Sequence, residues 1–322
     1  MNSDEMNQIK TVSFFCGCGG LDLGFSGGFT YKGEFYPKTS FDILAAYDNN
    51  EKCIETYHRN ISKKAYVSDL TAYNPEDVPA ADVLIGGFPC QDFATCGPRR
   101  GLNSTRGRLY QAMIKYMQMY HPRIVIGENV PGLANIKSGE ILKTILSDIE
   151  NVGYQVKVWR MFAPDYGVPQ RRERLIIVAV RNDIPGFPDE PMPTFNTSNY
   201  RTTKWAIGDL EKCESGSIPN QEQYFKAAKA KAGNGQGDET NVADAPAYTI
   251  RANAKSRIQF HYSKNRRLTI RECARIQSFP DDFIFPHSMT TNISQIGNAV
   301  PPILAYQIAQ SIHAFIGGTC HE

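Results

Sequence analysis

Short apolar runs alternate with stretches of helical spacing over the first half of the chain. TVSFF (11–15) reads as a buried strand that breaks at a glycine cluster. DILAAY (42–47) is a second strand, followed by a helix through Tyr57, and DVLIGG (82–87) is a third. Residues 108–120 read as a helix, RIVIGEN (123–129) as a fourth strand, 140–152 as a helix and RLIIVAV (174–180) as a further strand. Strands that alternate with helices imply crossover connections, and so a mostly parallel twisted sheet covered by helices on both faces. The pattern dissolves after Arg181, where Pro185, Pro188, Pro191 and Pro193 crowd together. Residues 182 to about 282 read as irregular, with 232–238 especially loop-like. Order returns at 301–315, a run of good helix formers whose prolines fall at its start, where they are tolerated. The expected division is a larger α/β domain, 1–185 completed by 283–322, and a smaller irregular domain, 186–282.

A chain of 322 residues suits one large domain plus a smaller one. With 41% hydrophobic and 21% charged residues, the composition is that of an ordinary soluble globular protein. No apolar run approaches the roughly 20 residues that span a bilayer, and the opening MNSDEMNQIK lacks the apolar core of a signal peptide. The expectation is a cytoplasmic protein with no membrane partner. The net charge of +2 says little about partners, but its distribution says more. Arg251, Lys255, Arg257, Lys264, Arg266, Arg267, Arg271 and Arg275 stand against one acid, Glu272. Such a stretch suits phosphate contacts, or is a solvated basic face. The 8 cysteines show no paired Cys-x-x-Cys or zinc-type spacing, so most read as small buried hydrophobes and no metal is expected.

Five segments could carry chemistry. In FFCGCGGLDLGF (14–25) a strand runs into Gly17, Gly19 and Gly20 and then a helix; glycines there let backbone approach a ligand, or make only a tight turn. Asp48 follows a strand and Asp69 lies in SDL; such carboxylates bind ribose hydroxyls or an amine, or cap turns. GGFPCQDF (86–93) puts Cys90 just past a strand end, the place for a nucleophile, although a lone cysteine is usually structural. GENVPG (127–132) would bring Glu128 to the same edge. In GVPQRRERLIIV (167–178), Arg172 and Arg174 alternate and could point together, or form a surface basic cluster.

The order FxGxGG, SDL, GFPCQxF, ENV, QRRER, RRLTIRECARIQSFPDDF and QIGNAVPP resembles the DNA cytosine C5 methyltransferases of bacterial restriction–modification systems. The resemblance runs from Phe14 to about Ile312. It implies a Rossmann-like S-adenosylmethionine-dependent methyltransferase fold, with a target-recognition domain in the stretch between QRRER and RRLTIREC.

The resemblance also implies roles. Cys90 would add as a thiolate to C6 of cytosine, giving C5 the character of an enamine; a free thiol, with a pKa near 8.5, needs help to ionise. Glu128, protonated, resembles the donor to N3, and Arg172 the cation near O2. Arg174 would orient the cysteine loop or hold a phosphate, and Asn129 and Gln170 would hold the strand ends. The donor pocket would comprise Phe15 at the adenine, Gly17, Cys18, Gly19 and Gly20 beside the methionine part, Asp48 at the ribose and Asp69 at the adenine amine. Pro89, Leu109, Asn298 and Ala299 would complete it, which requires the C-terminal helix to return beside the first strand. The product is S-adenosylhomocysteine. The target carbon is hidden in a duplex stack, so the base must be flipped out. Residues 91–108, with Gln91 and Thr95, resemble the loop that closes on double-stranded DNA. Thr249 resembles a backbone contact beside the flipped nucleotide, Gln236 a filler of the gap, and Arg251 and Arg257 further DNA contacts. A monomer is expected, with a cognate restriction endonuclease as genetic partner. Two departures stand out: Ala94 replaces a common serine, and Asp48 replaces the commoner glutamate, shortening the reach to the ribose.

Overall fold

The computed structural model describes residues 8–89, 109–213, 216–224, 239–253 and 259–318. Strands β1 (Ile9–Phe14), β4 (Phe41–Asp48), β5 (Ala65–Val67), β6 (Val83–Gly86), β7 (Ile124–Asn129), β8 (Tyr154–Phe162) and β9 (Glu173–Arg181) form a seven-stranded sheet in the order β5-β4-β1-β6-β7-β9-β8. The pairs from β5 to β7 are parallel; β9 is antiparallel to both β7 and β8. Strands β2 (Phe29–Tyr31) and β3 (Glu34–Tyr36) form a separate hairpin. The chain proceeds outward from β1 through β4 to β5, then crosses back to β6 and β7. The order therefore reverses between β1 and β6, and at such a point the carboxyl ends of the strands leave a crevice for ligands.

Successive residues of the central strands face opposite sides, so both sides need cover. On one face Val83, Ile85, Ile124, Ile126, Ile176 and Val178 pack with helices α1 (Gly20–Ser26), α2 (Glu51–Asn60) and the C-terminal helix, Pro302–Gly318. On the other, Val12, Phe14, Leu84, Val125 and Ile177 pack with α3 (Tyr110–Tyr120) and α4 (Glu140–Asn151). Helix α2 starts where Asn50 Oδ1 accepts from the amides of Lys52 and Cys53, supplying partners for the open first turn.

The region read as irregular contains helices: α5 (Thr203–Ile207) and α6 (Ile270–Ile276). Every residue of α6 is buried, so it has no polar face for a periodicity to reveal. Its start is a capping box: Thr269 Oγ1 accepts from the Glu272 amide, and the Glu272 carboxylate from the Thr269 amide. Helix α7 (Met289–Asn298) follows, and α8 is the C-terminal helix Pro302–Gly318. A third apolar cluster draws on α5, α6 and Phe279, Phe283 and Phe285, and includes Cys18 of the glycine turn and Ile296 of α7.

Three arginines of the basic run turn inward. Arg271 is buried and donates to the carbonyls of Pro219, Pro280 and Phe283. Arg275 is buried between Asp281 and Asp209, and Arg266 makes two bonds to Glu272. These three arginines serve the fold rather than an outward phosphate-binding face; Arg251 and Lys264 are exposed. Among the described residues, no helix is long and apolar enough to cross a membrane.

Candidate active site

At the carboxyl end of β1 the chain turns sharply. Phe15 takes φ of 55°, a left-handed conformation that costs a bulky residue of order 1–3 kcal/mol and gathers at functional sites. The Cys16 amide donates to the Tyr47 carbonyl at 3.0 Å, and the Gly17 amide to Asp48 Oδ2 at 2.9 Å, so the turn is tied to the end of β4. Gly17 has φ of +54°, and no heavy atom lies within 4 Å of where a Cβ would sit, leaving its face open to a ligand.

The C-terminal segment forms the wall of this turn. A Cβ on Gly20 would lie 2.4 Å from the Val300 carbonyl oxygen and 3.1 Å from Ala299 Cβ. Ala299 is therefore in contact with the glycine turn, and Asn298, exposed, ends α7 next to it. Cys18 is buried with its thiol toward the Gln295 carbonyl. Burial, with Asp22 and Asp48 nearby, pushes the Cys16 and Cys18 thiols well above their ordinary range, so neither is a ready nucleophile.

Asp48 accepts one backbone bond on each oxygen, the second from Asn50 at 2.9 Å, and burial raises its carboxyl despite those bonds. Asp69 is exposed; Thr71 donates to its Oδ1 through both amide and hydroxyl, which lowers its carboxyl. An open glycine cradle with carboxylates at the ends of adjoining strands fits a nucleoside-bearing methyl donor. Pro89, exposed, and Leu109, at the N-terminal cap of α3, flank residues 90–108. Cys90, Gln91 and Thr95 lie outside the described residues, as do Gln236 and Arg257.

Glu128 stands at the end of β7, buried. Arg174 Nε lies 2.6 Å from Glu128 Oε1, a close ion pair although that N–H is not aligned for a hydrogen bond; Arg174 Nη1 donates to the Glu173 carbonyl. The other carboxylate oxygen, Oε2, lies 3.2 Å from the ideal Cβ position of Gly87, so Gly87 leaves room for it. Asn129 Nδ2 donates to the Phe88 carbonyl at 2.9 Å, pinning the exit of β6 two residues before Cys90.

Arg172 behaves differently from its neighbour. It is buried, and its guanidinium donates to the carbonyls of Ile250 (3.3 Å), Gly297 (3.0 Å) and Ala299 (2.9 Å). Burial, with Arg174 beside it, holds its pKa well below the ordinary arginine range. The alternation of Arg172 and Arg174 along the sequence suggested a common direction; instead one clamps backbone and the other meets Glu128. Gln170 accepts from the Ile250 amide at 2.9 Å, holding the segment that carries Thr249.

Segment 247–250 pairs alongside 169–171: the Ala247 amide donates to the Pro169 carbonyl, and the Arg171 amide to the Ala247 carbonyl. Thr249 Oγ1 donates to the Arg171 carbonyl at 2.5 Å. Arg251 is exposed, and its backbone and that of Ala252 press so closely on Gly297 that a Cβ there would fall within 2.3 Å of the Ala252 nitrogen.

Sequence reasoning passed over two buried polar groups. Asp22 accepts from Ser13 Oγ (3.0 Å) and Tyr57 Oη (3.1 Å) behind the glycine turn, and burial raises its carboxyl to about 6. Gln277 lies inside the RRLTIRECARIQSFPDDF motif, but nothing in its type or position marks it out from the surrounding helix.

The description of the C-5 cytosine-specific DNA methylases matches residues 9–314 of the chain. The type II methyltransferase M.NgoFVII of Neisseria gonorrhoeae is 33% identical over 342 residues, covering 97% of this chain and 88% of that one. M.FnuDI of Fusobacterium nucleatum is 32% identical over 338 residues, 94% of each. The structure of the Entamoeba histolytica methyltransferase EhMeth superposes with a TM-score of 0.71 at 17% identity, over 97% of this chain and 99% of that one, and so shares the fold. With the family's description matching nearly end to end a chain whose glycine turn, Glu128 and Arg174 line one edge of such a sheet, the protein belongs to the C-5 cytosine-specific DNA methylases.

Proposed function

We propose that the chain methylates C5 of a cytosine flipped out of a short specific duplex DNA sequence, through a covalent bond between Cys90 Sγ and C6. The observation that carries this reading is the Glu128–Arg174 pair, set beside the exit of β6 that leads in two residues from the pinned Phe88 carbonyl to Cys90.

Addition of the thiolate to C6 places electron density on N3 and O2. Glu128 is the proton donor to N3, and Arg174 stands as the cation beside O2. The sequence pattern gave that second role to Arg172. Three backbone carbonyls already occupy its guanidinium, so we assign Arg172 to positioning and Arg174 to the base. S-adenosylmethionine would supply an electrophilic methyl group for C5, with S-adenosylhomocysteine as the product. The turn at Phe15, Gly17, Cys18, Gly19 and Gly20 would hold it, with Asp48 on the ribose, Asp69 on the adenine amine, and Pro89, Leu109, Asn298 and Ala299 closing the pocket. Loss of the C5 proton to water, departure of the Cys90 thiolate and return of the N3 proton to Glu128 restore the aromatic ring. Thr249 contacts the DNA backbone beside the flipped nucleotide, Gln236 fills the gap it leaves, Gln91, Thr95, Arg251 and Arg257 make further DNA contacts, and residues 186–282 carry target recognition. The relatives named as type II methyltransferases support a role in protecting host DNA from a cognate restriction endonuclease. The enzyme works in the cytoplasm as a monomer.

The test is a duplex containing 5-fluorocytosine at the methylated position, incubated with donor. A covalent adduct on the Cys90 peptide, absent in Cys90→Ser while that variant still binds DNA, is the expected result. Methyl transfer by Cys90→Ser at the wild-type rate, or transfer to transfer RNA and not to duplex DNA, overturns the reading.

A further inference from the structure

Two fully buried glutamines bridge the segment that carries Thr249 to the wall of the glycine turn. The Ile250 amide donates to Gln170 Oε1 at 2.9 Å. Gln170 Nε2 donates to Gln277 Oε1, and Gln277 Nε2 to the Ala299 carbonyl at 2.5 Å. All donors in this series point the same way, from residue 250 to residue 299, an arrangement in which each bond polarises the next. Ala299 in turn touches Gly20, whose missing Cβ brings the two backbones together. Arg172 closes a parallel route, since it donates to the carbonyls of both Ile250 and Ala299.

Resting on the reading above, we propose that Gln277 is a positioning residue that couples the two substrates. Through Gln170 it sets the segment that carries Thr249, and through Ala299 it sets the wall of the donor turn, so that DNA and donor each favour the binding of the other. Hydrogen-bond satisfaction alone does not require this side chain. Without it, the Ala299 carbonyl keeps Arg172, and Gln170 Nε2 keeps the Ile276 carbonyl at 3.2 Å. Few groups are left without partners, and what is lost is the link between the two segments.

The experiment uses the full chain and S-adenosylhomocysteine as probe, titrated by calorimetry with and without a mixed-sequence duplex that the wild-type chain methylates. The wild type is expected to bind the probe at least about fivefold more tightly on DNA, the lower range of ordinary coupling between sites. Gln277→Met, close in volume and without either hydrogen bond, should lose most of that enhancement. Its DNA-free affinity should stay within about twofold of wild type, with KM for the donor raised and kcat kept, as for a loss confined to binding. Gln277→Leu also removes both hydrogen bonds and should show the same loss; it serves if the methionine variant does not fold. An equal enhancement in wild type and variants overturns the proposal. So does a fall in DNA-free affinity as large as the fall on DNA, together with a lower melting temperature, the mark of a merely structural residue. A wild type that methylates DNA yet shows no enhancement overturns it while leaving the methyltransfer reading intact; a wild type that does not methylate removes both.

Discussion

Arg174 meets Glu128 diagonally across the antiparallel pair of β7 and β9, where Glu128 faces Ile176 and Arg174 lies two residues further along on the same side. Such diagonal neighbours are within reach of long side chains. The antiparallel insertion of β9 next to β7 thus delivers a cation to the carboxylate, which a parallel neighbour ending at the same edge would not do from that side.

Glu128→Gln retains size but cannot supply a proton to N3. We expect single-turnover methyl transfer to slow by about 10²–10⁴-fold, with donor affinity kept. Arg174→Ala should slow it by about 10²–10³-fold. Rates measured with a methyl-tritiated donor check both. Because each variant strands a buried partner, the double variant should be more stable than the sum of the two single losses implies, which a denaturation cycle reads directly.

Arg172→Ala should act on stability first. It leaves the Ile250 and Gly297 carbonyls without this donor, and stranded buried acceptors cost about 1–3 kcal/mol each. A loss of about 3 kcal/mol or more in urea unfolding is the expected result. A variant of undiminished stability whose chemical step alone is slowed would return Arg172 to the base.

Asp22 gives a pH signature. Its folded-state carboxyl is raised to about 6, above the ordinary value near 3.8, so ionisation opposes folding. The penalty is absent below about pH 4, grows as pH rises, and is complete above about pH 6, where it reaches about 3 kcal/mol at most. Asp22→Asn removes it while Ser13 and Tyr57, whose hydroxyls can rotate, keep a partner. The variant should therefore be more stable than wild type at pH 8, with the difference shrinking towards pH 5 in parallel urea titrations.

Gly24→Ala tests the seam between α1 and α8. The added Cβ would lie 2.3 Å from Ala305 Cβ and 2.5 Å from the Pro302 carbonyl oxygen, and overpacking of this kind costs about 1–3 kcal/mol. Adding Ala305→Gly should recover part of the melting temperature but not all, because the Pro302 oxygen remains.

Parallel strands β1, β4, β6 and β7 were legible because each is an apolar run that stops at a glycine or a polar cluster, as TVSFF does before Gly17; β5, three residues of which two are exposed, was not. Strand β8 escaped notice: YQVKVWRMF alternates with exposed polar residues at the sheet edge and resembles no buried run. The orientation of β9 was hidden too, since antiparallel pairing leaves no mark in RLIIVAV. Helix α6 lacks an exposed face, and Thr269 with Glu272 three residues on was the one local sign of it. Within the site, Glu128 and the glycine turn were readable from residue type at strand ends. The division of labour between Arg172 and Arg174 was not, because both are arginines two apart, and only the carbonyls of residues 250, 297 and 299, distant in sequence, separate them.

The seating of Ala299, Val300 and Ala305 on a turn built from residues 15–24 also sets a schedule. Synthesis must run past residue 300 before the last wall of that turn exists. A copy that stops short of residue 289 lacks that wall, and a chain severed there should regain its competence when the missing piece is added back as a separate peptide.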